Sequence, residues 1–427
     1  MTESTSAQSN RFARAAPKPA SAGLYQRLVL DSLRGMTAGC LRLDLPGGAT
    51  MVIGTPGAET SAHIRVINPA FFQRCVLFGD VGFGESYVAG DWETDSIERV
   101  IAWAVLNVEN SPAMSGSKVR SVALNLLKSY NRLLHLLRPN SVTTSRRNIA
   151  EHYDLGNDFY QLWLDPTLTY SSAYFTAPGQ SLESAQTAKY DALCRKLQLQ
   201  PSDQVLEIGC GWGGFACHAV KHYGCRVTAV TISEEQFKSA SARFVHEGIA
   251  DRVNIRLMDY RMLSGQYDKV VSIEMMEAIG DRYLETYFEM IHSVLKPGGL
   301  VGVQYITVPD SRHAELKRGV DWIQKHIFPG SLLLSVGRVN EALSRTGDLF
   351  LHDLEDIGSS YARTLHAWWE NFNAQLTGVR ALGFDERFIR KWNYYLQYCE
   401  AAFASRNISV VQAVYTRPNN RALHQEW

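Results

Sequence analysis

Apolar positions fall along this chain in two periods, and their alternation predicts most of the architecture. The run Val205-Leu206-Glu207-Ile208 enters Gly209-Cys210-Gly211-Trp212-Gly213-Gly214. It reads as a short buried strand turning through glycines into a helix that begins near Phe215. Arg226 to Val230, Val253 to Leu257 and Tyr267 to Ile273 read as the second, third and fourth strands of one series. Leu295-Lys296-Pro297-Gly298-Gly299 breaks a helix before a fifth, Leu300 to Ile306. Strands alternating with helices predict an α/β fold, a doubly wound parallel sheet of Rossmann-like type. Upstream, Leu41 to Leu45 and Met51 to Ile53 flank Pro46-Gly47-Gly48 as a hairpin, and His63 to Ile67 alternates as another strand. Asn68-Pro69 predicts a short helix with Asn as N-cap, and Thr94 to Val108 a second, amphipathic one.

These patterns divide the chain. Residues 1–20 are rich in Ser, Ala and Pro and are expected to be disordered. A small mixed α+β domain follows at 21–110, a basic linker helix at 111–145, and an α/β domain with C-terminal lid helices at 146–427. The small domain leaves packing, formation of a homodimer and lipid contact all open as roles. A length of 427 residues agrees with such a multidomain chain.

Charge changes the picture in one place only. Lys+Arg and Asp+Glu balance at 43 each, which gives no reason to expect nucleic acid. Between 110 and 150, however, stand Lys118, Arg120, Lys128, Arg132, Arg138, Arg146 and Arg147 without any Asp or Glu. Val122, Leu126, Leu133, Leu134 and Leu137 recur there at helical spacing. A basic amphipathic helix suits an anionic membrane surface, and equally a linker packed on the protein's own core. No apolar run approaches the ~18 residues of a membrane span, and no apolar leader marks secretion. Seven cysteines without a C-x-x-C pair suit a reducing compartment. The expected location is cytoplasmic, with peripheral association at the inner face of the membrane.

The spacing Glu207-x-Gly209-x-Gly211-x-Gly213 resembles the first motif of S-adenosylmethionine (SAM) methyltransferases. The resemblance becomes specific upstream, where His152-Tyr153-Asp154 and Gly156-Asn157-Asp158-Phe159 precede Tyr170-Ser171-Ser172-Ala173-Tyr174-Phe175. H-Y-D-x-G-N-D-F, Y-S-x-A-Y-F and L-E-I-G-C-G-W-G-G together resemble the cyclopropane fatty-acid synthase family, from about Ile64 to Pro418. The resemblance implies a SAM site formed by Tyr170, Ser171, Glu207, Gly209, Cys210, Gly211 and Gly213. It continues through Thr231, Ile232, Ser233 and Gln236 to Asp259, Tyr260 and Arg261 at the adenine edge. Thr231 stands where nicotinamide enzymes carry a ribose-binding carboxylate, which argues against that class.

Chemistry is implied beyond the fourth strand. In Glu274-Met275-Met276-Glu277-Ala278-Ile279-Gly280, Glu277 matches the family's catalytic glutamate, whereas Glu274 is expected to be capping or solvated. A carboxylate among Met, Ile and Ala is costly to bury unless it is paired. In the family a bound bicarbonate acts as base, held by Cys, Glu, His, Tyr and a backbone N–H. Here the Glu is Glu277, the Tyr is Tyr361 and the backbone donor is Ile306. Ser172 replaces the Cys and Gln304 the His, so neither brings a positive charge. Gln304 together with the Glu-Met-Met-Glu loop resembles the plant-type branch, which also makes cyclopropanes.

Tyr361, Leu365, Trp368 and Trp369 share one helical face, and Tyr395, Cys399 and Phe403 another, as core or as the lining of an acyl tunnel. Cys399 matches a cysteine proposed as active in the family, yet the chemistry needs no thiol and packing is expected. His326 is expected to be structural, and no metal site is supported. The reading is one-carbon transfer from SAM to the cis double bond of phospholipid acyl chains, forming a cyclopropane. Its alternatives are a fatty-acid C-methyltransferase giving a methyl or methylene branch, a small-molecule N-methyltransferase, and a non-catalytic lipid-binding protein.

Overall fold

The hairpin forms as its alternation predicts. β1 (Cys40–Asp44) pairs antiparallel with β2 (Thr50–Gly54) and parallel with β3 (Ser61–Val66), which pairs with β4 (Trp92–Glu93). Ala62, Ile64 and Val66 of β3 turn inward onto Ile97, Val100 and Trp103. The computed structural model describes residues 23–107 and 155–423, Ala422 by its backbone alone. The expected tail at 1–20, the basic helix at 111–145 and His152 to Asp154 lie outside the described residues.

Two helices differ from the expected ones. Asn68 Oδ1 does accept the Ala70 N–H at 3.0 Å, but the helix runs on to Val88, because Gly79 (φ 58°) kinks it rather than ending it. The amphipathic helix covers Ile97–Leu106, since the Ser96 side chain accepts the Arg99 N–H and sets its start there.

The second sheet has seven strands. β5 (Gln204–Ile208), β6 (Arg226–Thr231), β7 (Val253–Leu257), β8 (Tyr267–Ile273) and β9 (Leu295–Thr307) are parallel, as expected of a doubly wound fold. β10 (Phe350–Asp356) and β11 (Ser409–Thr416) extend it antiparallel, giving the order β10-β11-β9-β8-β5-β6-β7. The sheet is therefore mixed at one edge. The strand order reverses between β5 and the parallel β8, and the crevice at their carboxyl ends is the ligand-binding position of such sheets.

The helices Gly358–Ala374 and Glu386–Ala404, the expected lid, reach that end of the sheet through Tyr361, which hydrogen-bonds Glu274, and Tyr395, which hydrogen-bonds Tyr170. The small N-terminal domain docks on the lid. The Ile97 N–H donates to Gln397 Oε1 at 2.9 Å, and Arg390 donates to the carbonyls of Tyr87 at 2.6 Å and Trp92 at 2.9 Å. Burial works against the Glu85 charge, but His326 at 3.0 Å and Lys325 at 2.7 Å outweigh it and hold the carboxyl down to about 2. His326 is thus a structural tie. Truncating Arg390 to Ala removes two charged hydrogen bonds and the stacking of its guanidinium 4.1 Å from the Tyr87 ring. We expect about 2–4 kcal/mol of destabilisation in urea unfolding, at roughly 1.5–3 kcal/mol for each charged bond with partial compensation by water.

Candidate active site

The glycine turn after β5 is shaped to admit a ligand. Gly209 and Gly213 take left-handed conformations, with φ 81° and φ 84°. The N–H groups of Gly209 and Cys210 both donate to Val230 O at 3.0 Å, which locks the turn onto β6. Cys210 is buried within the turn. Around Gly211 a side chain would meet nothing within 4 Å. Glu207 is buried below the turn, and burial pushes its carboxyl up to about 8 against the pull of Lys189. Its Oε2 has no partner among the described residues. An orphaned carboxylate oxygen beside an open glycine turn fits the cationic amino-acid end of SAM.

Around the turn, the expected cofactor residues hold one another in place. Ser171 Oγ accepts from Lys189 Nζ at 2.6 Å, and its carbonyl accepts from Gln186 at 3.0 Å. Tyr170 OH lies 2.9 Å from Tyr395 OH, which ties this loop to the lid. Thr231 Oγ1 donates to Gln236 Oε1 at 2.8 Å and accepts the Ser233 N–H at 3.2 Å. Ser233 caps the helix that follows, so Ile232 lies in a turn fixed from both sides. Asp259 receives the Arg261 guanidinium at 2.8 and 2.7 Å, and Tyr260 packs edge-on against Tyr287. Lys189 was not anticipated. It lies on a helix face with buried Ala185, Gln186, Tyr190 and Leu193, and a lysine within such a stripe is the signal that could have found it. Burial pushes its ammonium down to about 7.

The carboxylate at the centre of the site is Glu274, which corrects its expected capping or solvated role. Its Oε1 accepts the Ser172 N–H at 2.8 Å and Gln304 Nε2 at 2.8 Å, and its Oε2 accepts Tyr361 OH at 2.7 Å. Gln304 is oriented by Gln412, its partner across β9 and β11, whose amide donates to Gln304 Oε1 at 3.1 Å. Ser172 enters through its backbone, because its hydroxyl donates to Ala173 O at 2.9 Å. Burial raises the Glu274 carboxyl, opposed by Tyr361, Gln304, Lys189 and the Ser172 N–H.

Glu277 lies beside it. Its Oε1 accepts the Ile306 N–H at 2.5 Å, and its Oε2 has no partner among the described residues. Burial, and then the Glu274 charge, push Glu277 up to about 8. Ser172, Gln304, Ile306, Tyr361 and Glu277 are therefore brought together. Tyr361 and Gln304, however, serve Glu274 rather than Glu277. Cys399 packs half-buried against the lid's aromatic cluster, and burial holds its thiol above the usual range, which is the opposite of an activated nucleophile.

Aromatic rings wall this space. Tyr170 faces Trp368 at 5.3 Å, Tyr160 at 5.5 Å and Trp163 at 5.5 Å, and Tyr361 stacks on Phe403 at 4.3 Å. Tyr361, Leu365 and Trp368 are buried on their shared helical face, with Trp369 partly exposed. Aromatic rings near carboxylates favour a cation.

Comparison with known proteins matches residues 140–413 to the family described as mycolic acid cyclopropane synthetase. The chain is 36% identical over 425 residues to the tuberculostearic acid methyltransferase UfaA1 of Mycobacterium tuberculosis, covering 96% of each. It is 39% identical over 361 residues to the cyclopropane-fatty-acyl-phospholipid synthase of Escherichia coli K12, covering 83% of this chain and 88% of that one. Among solved structures, mycolic acid cyclopropane synthase CmaA1 complexed with SAH and CTAB superposes with a TM-score of 0.59 at 29% identity, over 64% of this chain and 98% of that one.

Proposed function

The chain belongs to the mycolic acid cyclopropane synthetase family of SAM-dependent enzymes, and from that premise we propose that it cyclopropanates the cis double bond of unsaturated phospholipid acyl chains. The observation that carries this reading is a carboxylate network enclosed by aromatic rings at the carboxyl ends of β5 and β8. Bound SAM supplies an electrophilic methyl group, with Glu207 and the glycine turn for its amino-acid end and Thr231, Gln236 and the Asp259 loop for its adenosine. Tyr170, Trp368 and Tyr361 present ring faces and a phenol oxygen to positive charge on the acyl chain. Lid helices and apolar walls keep water away from that charge, which would otherwise be trapped as an alcohol.

The site does not fit bicarbonate. Of the donors that the family resemblance offers to the anion, Gln304 and Tyr361 are already engaged by Glu274, the Ser172 hydroxyl by Ala173 O and the Ile306 N–H by Glu277. No step is routed through that ion. Residues 146–427 carry the catalysis, and the domain at 21–110 shields the lid and faces lipid. We place the enzyme at a membrane surface. None of the described helices is long and apolar enough to cross a bilayer, and the acyl substrate resides in one.

The similarity to a tuberculostearic acid methyltransferase along 96% of the chain favours a second reading, a methyl or methylene branch on the same acyl chain. Incubation with SAM and vesicles of cis-unsaturated phospholipid, followed by proton NMR of the acyl products, separates the two. High-field ring protons are expected. Vinylidene protons would move the reading to the branching enzymes, and no lipid product would overturn both.

A further inference from the structure

Removing a proton from the transferred methyl group requires a base, and the described residues contain one placed for it. Resting on the proposed function, we infer that the Glu274 carboxylate is that base, so that turnover needs no added anion.

Position is the first argument. Glu274 follows the last residue of β8, at the reversal point of the sheet. The next residue, Met275, meets the glycine turn so closely that a Cβ on Gly209 would fall 2.9 Å from Met275 Cγ. Glu274 thus adjoins in the chain a residue packed on the glycine turn, its carboxylate meets Ser172 beside the expected cofactor residues Tyr170 and Ser171, and part of the residue remains accessible. Backbone strain is the second. Glu274 has φ 47°, a conformation that costs a non-glycine residue about 1 kcal/mol or more and persists only when its surroundings impose it. The strain aims the carboxyl at donors from three separate elements, namely the loop at Ser172, strand β9 at Gln304 and the lid at Tyr361.

Occupancy is the third argument. An ionised carboxylate offers roughly four acceptor positions. Three are filled here, two on Oε1 and one on Oε2, which leaves one lone pair on Oε2 for a proton. The fourth argument is the neighbouring carboxyl. Among the described residues Glu277 takes donors from the backbone alone, the Ile306 N–H and its own, whereas Glu274 has three from other residues and Lys189 nearby. Two adjacent carboxyls with unequal support divide the roles, and the better supported one stays ionised.

The step balances. The SAM methyl carbon bonds to one alkene carbon, leaving S-adenosylhomocysteine and a cation on the chain. Glu274 takes one methyl hydrogen as a proton, and the electron pair of that C–H bond forms the C–C bond that closes the ring. The resulting carboxylic acid returns its proton to water as product leaves. SAM and alkene have then given S-adenosylhomocysteine, cyclopropane and one proton.

The experiment follows lipid product from the full-length enzyme in carbon-dioxide-depleted buffer, with and without bicarbonate. Unaltered enzyme is expected to turn over equally in both. Glu274→Gln keeps the size but cannot take a proton, and should lose about 100-fold or more in turnover with little change in SAM affinity. Glycine suits φ 47°, so Glu274→Gly should fold and expose the three donors. It is expected to be inactive alone and to recover at least tenfold with bicarbonate, a rescue that a merely structural carboxylate would not give. Dependence of the unaltered enzyme on bicarbonate would overturn the assignment while leaving the proposed function intact. So would a Glu274→Gln or unsupplemented Glu274→Gly enzyme that keeps more than a tenth of its turnover. An unaltered enzyme that binds SAM and yields no lipid product would overturn both.

Discussion

The Gly213→Val variant is expected to lose SAM binding and to melt well below the unaltered enzyme. Gly213 precedes the helix Gly214–Tyr223 in a left-handed conformation, φ 84° and ψ 18°. A side chain there pays about 1–2 kcal/mol for the backbone alone, and more when it branches at Cβ. Its Cβ would fall 2.6 Å from two ring carbons of Phe244 and 3.3 Å from Ala240 Cβ. Phe244 is buried in the core beneath β6 and β7, so it can yield only by disturbing its neighbours, at roughly 1–3 kcal/mol. Together these reach about 2–5 kcal/mol, a large share of a typical stability of about 5–15 kcal/mol. Any relief moves the first turn of the helix, and with it the ligand-facing N–H groups. Calorimetric titration with SAM should show at least a 100-fold weaker Kd, since about 2.7 kcal/mol of distortion suffices. Gly224→Asn is the control. Gly224 ends the same helix in a left-handed conformation, φ 70° and ψ 6°, and a Cβ there meets only Pro201 at 3.5 Å or more, so this variant should bind SAM nearly as the unaltered protein does. Equal affinity in both variants would mean that the turn does not cradle the cofactor.

The five parallel strands were legible because each carries an apolar run closed by a break in the pattern, and four keep the bounds read to within one residue, whereas β9 begins five residues before the expected start, at Leu295, within the stretch read as a helix break. Strands β10 and β11 were not. β10 lies at the sheet edge and alternates Phe350, His352, Leu354 and Asp356 outward, so its pattern lacks the unbroken apolar character of its neighbours. β11 is apolar enough, but it joins the sheet antiparallel after two long helices, a pairing that no local signal announces. Resemblance identified Glu277, Gln304, Ile306 and Tyr361 as neighbours in space. It could not rank Glu274 above Glu277. Two glutamates three residues apart look alike until the positive φ of Glu274 turns one of them onto the Ser172 N–H, Gln304 and Tyr361. The Ser172 contribution was invisible for a simpler reason, since every non-proline residue carries the same backbone N–H.

Glu277→Gln should make the protein more stable at alkaline pH while lowering its turnover. In the unfolded chain this carboxyl ionises near its ordinary value of 4.5, whereas in the fold burial and the Glu274 charge hold its proton until about 8. Over that window the unfolded state binds fewer protons than the native one, so stability falls as pH rises. The contribution is fully present below about 4.5, is lost progressively to about 8 and is flat beyond. At about 1.4 kcal/mol for each pH unit the loss is on the order of a few kcal/mol. Gln keeps an oxygen for the Ile306 N–H and never ionises, so it removes this slope. Melting temperatures of the two proteins should coincide near pH 5 and diverge by several degrees near pH 8.5, with the variant higher. Parallel curves would show that Glu277 ionises normally in the fold. Activity should move the other way, by about tenfold or more. Gln leaves an unpaired amide where Glu277 Oε2 stood, and it removes the titrating group that keeps a second proton beside Glu274. A variant that gains stability as it loses turnover marks a carboxyl retained for chemistry at a cost to the fold. Glu274 and Glu277 then divide the work, one held by three donors from separate elements, the other held by backbone N–H groups and keeping its proton until about 8.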